Sequence, residues 1–156
     1  MSEKLMGRRG DLLRFGLASR NWIITQMSDD LDLMKWMPSG IEKSASQIVS
    51  HISWTVSATV MEIAAQLGIE LNVEASQSAD SQNKLESEIR AAYDLFKQLC
   101  TRMTEDMLDA QTTLPPPARI REGSVETILR IIVGYHTVHH AGQIAMLIAS
   151  AKREEG

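Results

Sequence analysis

Four segments of this chain place apolar residues at intervals of three and four, the period of a helix with one buried face. None alternates with the period of two that a half-buried strand requires. The first runs from about Asp11 to Met27, with Leu12, Phe15, Ser19, Trp22, Ile23 and Met27 on one side. The second opens at Ser44 with Ser-Ala-Ser-Gln47, a capping box in which a Ser oxygen accepts from an orphan backbone N–H while Gln47 reaches back. Its buried face reads Ile48, Ile52, Val56, Ile63 and Leu67, and Gly68 is suited to the left-handed residue that ends a helix. The third covers about 82–110 through Leu85, Ile89, Phe96, Leu99, Met103 and Met107. The fourth starts at Gly123-Ser124, with Ser124 as cap and Glu126 in the first turn, and continues through Val125, Ile128, Leu129, Ile132, His136, His140, Gln143 and Leu147.

Breaks separate these segments. Met34, Trp36 and Met37 precede Pro38-Ser39-Gly40; residues 69–80 read as a loop; Leu114-Pro-Pro-Pro117 reads as an extended, stiff connector. The pattern predicts an all-α fold, a four-helix bundle in which residues 1–156 form a single domain. The links around 28–43 and 111–123 exceed what a tight helix–helix turn needs, so crossover connections between parallel neighbouring helices are open. Trp22, Trp36 and Trp54 read most simply as packing residues, with a pocket wall as the alternative.

Composition narrows the partners. A formal charge of -4, with the basic clump Arg8-Arg9 balanced by Glu3 and Asp11, argues against a phosphate-backbone binder, so no nucleic acid is expected. The start of the chain lacks an apolar core of signal-peptide length, and no stretch approaches the roughly 18 continuous apolar residues that cross a bilayer. Cys100 alone cannot form an internal disulfide. A cytoplasmic protein without membrane contact is the expectation.

The candidate chemistry lies in the histidines. The chain has four, and three fall in His136-Thr137-Val138-His139-His140, while the fourth, His51, lies in the second helix. Residues four apart share a helix face one turn apart, so His136 and His140 can aim two imidazoles at one point and His51 can add a third from a neighbouring helix. Three neutral imidazoles with an open position describe a catalytic-type metal site rather than a sealed structural one. Gln47 and Thr55 lie one turn either side of His51, and Gln143 lies three residues beyond His140; each can orient an imidazole or hold a metal-bound water. Gln47 can equally serve only its cap, and Thr55 can back-bond to its own helix. His139 sits about 100° round the helix from His140, which places it at a rim, although a His136/His139 pair is also geometrically open.

Rival chemistries lack their residues. Thr137 follows His136, so the HExxH signature is absent, and neither a Glu-x-x-His pair nor a glycine-rich phosphate loop occurs. Cys100, Met103 and Met107 share a face that could attract Cu(I), but methionines at core spacing read as gap fillers and Cys100 as a small buried hydrophobe.

His136 to Ile148, HTVHHAGQIAMLI, resembles the HxxHHxGQ signature near the end of DinB/YfiT-like proteins. Ser44 to Trp54, SASQIVSHISW, is similar to that family's second-helix motif, in which a capping Ser precedes a His. The resemblance covers the whole chain in length and helix order, with these two motifs as its specific part. It implies a four-helix bundle holding one divalent metal on His51, His136 and His140, and an assembly into homodimers. Characterised family enzymes include thiol S-transferases and a mycothiol-dependent isomerase. Many relatives carry a basic residue where this chain has Ala141, which bears on the pocket rim or a dimer contact.

These observations rank the functions. First stands a metal-dependent enzyme with Zn²⁺ or Ni²⁺, or else Fe or Mn, acting on a small-molecule substrate. A low-molecular-weight thiol deprotonated at the ion and attacking an electrophile is favoured over metal-dependent hydrolysis. No Asp or Glu lies within a turn of the three histidines, and no catalytic residue beyond the ligands is assigned. The alternative is a non-catalytic metal- or ligand-binding sensor or interaction module, and after it a bundle whose histidines are merely tolerated.

Overall fold

A computed structural model describes residues 4–40, 43–73 and 83–155. Helix α1 (Gly7–Gln26) begins ahead of its apolar pattern because a distant carboxylate supports its first turn. Glu105 Oε1 accepts from the Arg9 backbone N–H at 3.4 Å and from Arg9 Nε at 3.1 Å. Asp30 caps a short helix, α2 (Leu31–Lys35), whose Leu33 and Met34 are buried; the sequence pattern there was too short to read as a helix. Helix α3 (Ala45–Leu67) has the expected capping box at Ser44 and ends on Gly68 at φ 71°. Helix α4 (Lys84–Arg102) starts at an Asn83 cap, and the loop reading of 69–80 falls partly on residues outside those described.

The third predicted helix is too long by its last turns. The α-helix stops at Arg102, and a 3₁₀ turn, Glu105–Asp109, follows a break at Met103 and Thr104. Leu99 before the break, Met103 within it and Leu108 beyond it are all buried, so the apolar spacing continues although the helix does not. Strands β1 (Gln111–Thr113) and β2 (Glu122–Ser124) pair antiparallel, with Thr112 opposite Gly123. The proline connector between them reverses the chain: Leu114 N donates to Arg121 O at 2.7 Å and Ala118 N to Pro115 O at 3.2 Å. Ser124 then caps α5 (Val125–Leu129), which runs into a π-helical segment, Arg130–Tyr135, and on into α6 (His136–Glu155).

Side-chain contacts give the helix directions. Arg8 meets Glu126 at 2.9 Å and Phe15 meets Tyr135 with ring centroids 5.2 Å apart, so α1 runs parallel to the α5–α6 rod. Gln66 donates to Thr113 O at 2.8 Å while His51 lies beside His136, so α3 runs antiparallel to that rod. Asn72 and Gln98 exchange hydrogen bonds of 2.8 and 3.0 Å, which brings the ends of α3 and α4 together and makes those two helices parallel. From Gln98 back to Lys84 is roughly 20 Å of helix, so the crossover is the link between α3 and α4. The two links whose length suggested a crossover join antiparallel helices instead. Their extra residues are used in α2 and in the 3₁₀ turn with the hairpin.

The architecture is an all-α four-helix bundle, α1, α3, α4 and the α5–α6 rod, around one apolar cluster centred on Phe96, Ile52, Leu12 and Ile128. Among the described residues α3 is the one helix long and apolar enough to cross a bilayer, and half of its apolar window is buried in the core. Trp36 is partly buried against this core, but Trp22 and Trp54 are 53% and 60% exposed, contrary to their reading as packing residues. Trp54 instead lines a surface cleft of about 470 Å³ with Ser57, Ala58 and Met61.

Candidate metal centre

Two elements aim the three histidines. The Ser44–Gln47 box sets the start of α3, and His51 follows in its second turn. On the facing rod, the π turn closes with the His136 N–H donating to Ile131 O, one residue further than an α-helix would reach. The α4 residue Tyr93 clamps this turn, donating to Val133 O at 2.6 Å and sharing a hydrogen bond of 2.8 Å with Thr137 Oγ1. His136 therefore starts α6 from a wide turn held by side chains of another helix, and His140 comes one turn later.

The rings converge. Centroids of His136 and His140 are 4.4 Å apart, and His51 lies 5.4 and 5.3 Å from them. One ligand atom from each of the three falls within 4.8 Å of the others, and the His136 and His140 Nε2 atoms approach to 3.0 Å. All three rings are half-buried. Gln143 Oε1 lies 2.6 Å from His140 Nδ1; assigning the proton to Nδ1 satisfies the amide oxygen and leaves a lone pair on Nε2, the arrangement a metal-ligating imidazole needs.

The electrostatics keep the imidazoles neutral. Burial, then His140, His51, His139 and Arg119, pushes His136 down to about 4. Burial, then His140 and Lys43, lowers His51. Burial lowers His140 as well, against the Gln143 hydrogen bond and with help from His139 and Lys43. Among the described residues no carboxylate acts on any of the three; the outside charges are Lys43 and Arg119, both exposed and neither in an ion pair among those residues.

A pH dependence follows for the metal-free protein. Below the ordinary histidine value of 6.5 the unfolded chain takes a proton at His136 that the folded chain refuses until about 4. Stability is thus fully present above about 6.5 and falls with acidification down to about 4. With solvent screening at a half-exposed cluster, about 1–2 kcal/mol is expected to be lost across that window. Urea melts at pH 7 and pH 4.5 would measure it, and His136→Asn, which cannot titrate, should flatten the difference.

The other candidates fall out separately. Gln47 is exposed, and its Oε1 accepts from the Ser44 N–H at 2.9 Å, so its carbonyl oxygen serves the cap. Thr55 does not back-bond: its Oγ1 is buried without a partner, as is His136 Nδ1. His139 is exposed, with its ring 5.5 Å from His140 and its Nε2 3.5 Å from Gln143 Nε2, so Gln143 touches both histidines while His139 stays outside the convergence. Cys100 is fully buried, with its thiol pushed up to about 12, and lies in the core with Met103.

Lys43 and Arg119 escaped the sequence reading. Lys43 directly precedes the cap of the helix carrying His51, which is a usable signal. Arg119 acts on His136 electrostatically because the strands on either side of the proline connector pair and turn the chain back, which no local pattern records.

No family model matches the chain, and no curated protein is significantly similar to it. Among solved structures it resembles the DinB-like protein YjoA from Bacillus subtilis, with a TM-score of 0.62 over 90% of each chain and 18% sequence identity. At that identity the likeness is one of fold: the chain has the DinB-like fold, an all-α bundle bearing a histidine triad that could hold a metal ion.

Proposed function

We propose that this protein is a metal-dependent transferase that activates a small, negatively charged thiol on one divalent ion, Zn²⁺ or Ni²⁺, held by His51, His136 and His140. The observation that carries this reading is the convergence of three neutral imidazoles on which no carboxylate among the described residues acts. Imidazole donors suit these ions, and three of them leave coordination positions for a substrate. When bound, the ion supplies the positive charge that stabilises a thiolate at neutral pH. The chain's own residues then bind and orient. Lys43 and Arg119, which form no ion pair among the described residues, offer their charges to an anionic substituent, and Gln143 holds the His140 ring. Thiol transfer is preferred to hydrolysis because a thiolate, once formed, needs no further base, and no carboxylate among the described residues acts on the three histidines.

The test uses Co²⁺-loaded protein, in which thiolate coordination produces an intense near-ultraviolet absorption band. Mercaptosuccinate is expected to produce the band at lower concentration than mercaptoethanol. Lys43→Ala with Arg119→Ala should weaken mercaptosuccinate by about fivefold, near 1 kcal/mol for a solvent-facing pair of charges, and leave mercaptoethanol unchanged. Turnover of a chlorodinitroarene by the Zn²⁺ or Ni²⁺ form would establish transfer. A loaded protein that binds no thiol and turns nothing over would leave a metal-binding module in place of an enzyme.

A further inference from the structure

The buried stripe of the α5–α6 rod changes phase at the wide turn. Ahead of it Val125, Ile128, Leu129 and Ile132 are buried, and an unbroken α-helix would carry that stripe on through His136, His140, Gln143 and Leu147. The buried residues of α6 are instead Thr137, Ala141, Ile144 and Ile148, each one place later, with Leu147 beside them. One residue is a rotation of roughly 100°. A hydrogen bond that reaches back five residues rather than four takes up one residue without that rotation, and the bond from His136 N–H to Ile131 O is of this kind. The wide turn thereby moves His136 and His140 out of the core stripe to the edge where His51 stands, half-buried and open to a ligand.

Core packing fixes the phase of α5 and the phase of α6, but it leaves open where between them the extra residue sits. A wide turn placed one turn later, between His136 and His140, would leave His136 in the phase of α5. The two rings would then no longer share a face. The position of the turn is marked by two hydrogen bonds to one buried oxygen. The Tyr93 hydroxyl has a single proton, which goes to Val133 O at 2.6 Å, so its 2.8 Å contact with Thr137 Oγ1 is one that it accepts. Val133 lies inside the turn and Thr137 directly follows His136, so this oxygen grips the rod on both sides of the histidine. Tyr93 and Thr137 are both fully buried, so water cannot replace either bond.

We propose that Tyr93 is a positioning residue for the metal centre: with Thr137 it pins the wide turn ahead of His136, so that His136 and His140 stand on one α-helical face. This rests on the reading of the triad as a metal site. Tyr93 acts through the backbone of the rod, and the sequence offers a donor and an acceptor where the clamp needs them. A phenylalanine at 93 would fill the same space and hold nothing. A valine at 137 would leave the Tyr93 oxygen with one bond, on the near side of His136 alone.

Tyr93→Phe removes the hydroxyl and keeps the ring that packs edge-on to Phe96, with centroids 6.2 Å apart. In the metal-free protein, the nuclear coupling carried through the hydrogen bond from the His136 amide nitrogen to the Ile131 carbonyl carbon reports where the turn sits. In Tyr93→Phe this coupling is expected to weaken or vanish. Zn²⁺ affinity, from competition with a chelator, should fall by about 10–100-fold, the range for losing a group that orients a ligand. A hydroxyl that only adds stability would lower the melting temperature and leave coupling and affinity native, which would overturn the proposal. Deleting the exposed Tyr135 removes the extra residue and keeps both stripes in phase, so the folded deletion variant should still bind Zn²⁺. Adding Tyr93→Phe to it should then cost no further affinity. A folded deletion variant without Zn²⁺ affinity would overturn the proposal, as would the same loss on Tyr93→Phe in both backgrounds. If the native protein binds no Zn²⁺, the metal reading fails by itself, and the coupling in the metal-free protein still decides the role of Tyr93.

Discussion

Replacing His136 and His140 together by alanine is expected to take the protein from one equivalent of bound Zn²⁺ or Ni²⁺ to none while leaving it folded. Removing two of the three proposed ligands leaves only His51, and one imidazole does not hold a divalent ion against water and buffer. The fold should tolerate the change because the rings lie at the rim of the core, half-buried, and form no ion pair. Truncation also removes the partnerless Nδ1 of His136, which offsets part of the packing lost. Plasma mass spectrometry of both proteins after exposure to each ion, followed by desalting, gives the stoichiometry, and circular dichroism confirms the helices. Equal metal in the two proteins would end the metalloenzyme reading.

The second large effect is expected at a glycine. In Gly134→Ala the added Cβ would meet Phe15 Cε1 at 1.9 Å and Cζ at 2.6 Å. Helix propensity alone favours alanine by about 1 kcal/mol, so an exposed site would gain stability. Here the clash decides the sign. The part-buried Phe15 ring stands against the edge of Tyr135 at 5.2 Å and lies under the Arg130 guanidinium at 5.8 Å, so swinging away from the new methyl would give up both contacts. Over-packing of this kind costs about 1–3 kcal/mol, and strain shared with the backbone adds to it. For a chain of this length a net loss of about 2 kcal/mol lowers the melting temperature by about 4–8 °C. Gly134 also lies inside the π turn two residues before His136, so the same variant should bind Zn²⁺ more weakly. A second substitution, Phe15→Leu, should recover part of both losses by vacating the space. An unchanged melting temperature in Gly134→Ala would mean that α1 and the rod are not pressed together as described.

What the sequence determined by itself is local. Helical spacing and capping chemistry act over four residues, so the Ser44 box, the Gly68 stop, the Ser124 cap and the shared face of His136 and His140 were legible from residue order alone. The third histidine of the cluster, His51, was legible as a helical residue, and the interface between α3 and α6 brought it beside the other two. Tertiary contacts decided the rest. Glu105 extends α1 from nearly a hundred residues away, and Thr104 begins a 3₁₀ turn where apolar spacing continued to suggest a helix. The wide turn at Arg130–Tyr135 keeps helical spacing on either side and is clamped by Tyr93, so no residue pattern announces it. The link between α3 and α4 became the crossover because packing set the helix directions, which link length does not specify. The same reasoning covers the centre itself. Residue type and spacing show that imidazoles can share a helix face. Whether they are neutral, which nitrogen is held, and that Arg119 and Lys43 stand beside them depend on desolvation and long-range electrostatics, which exist only once the bundle has formed.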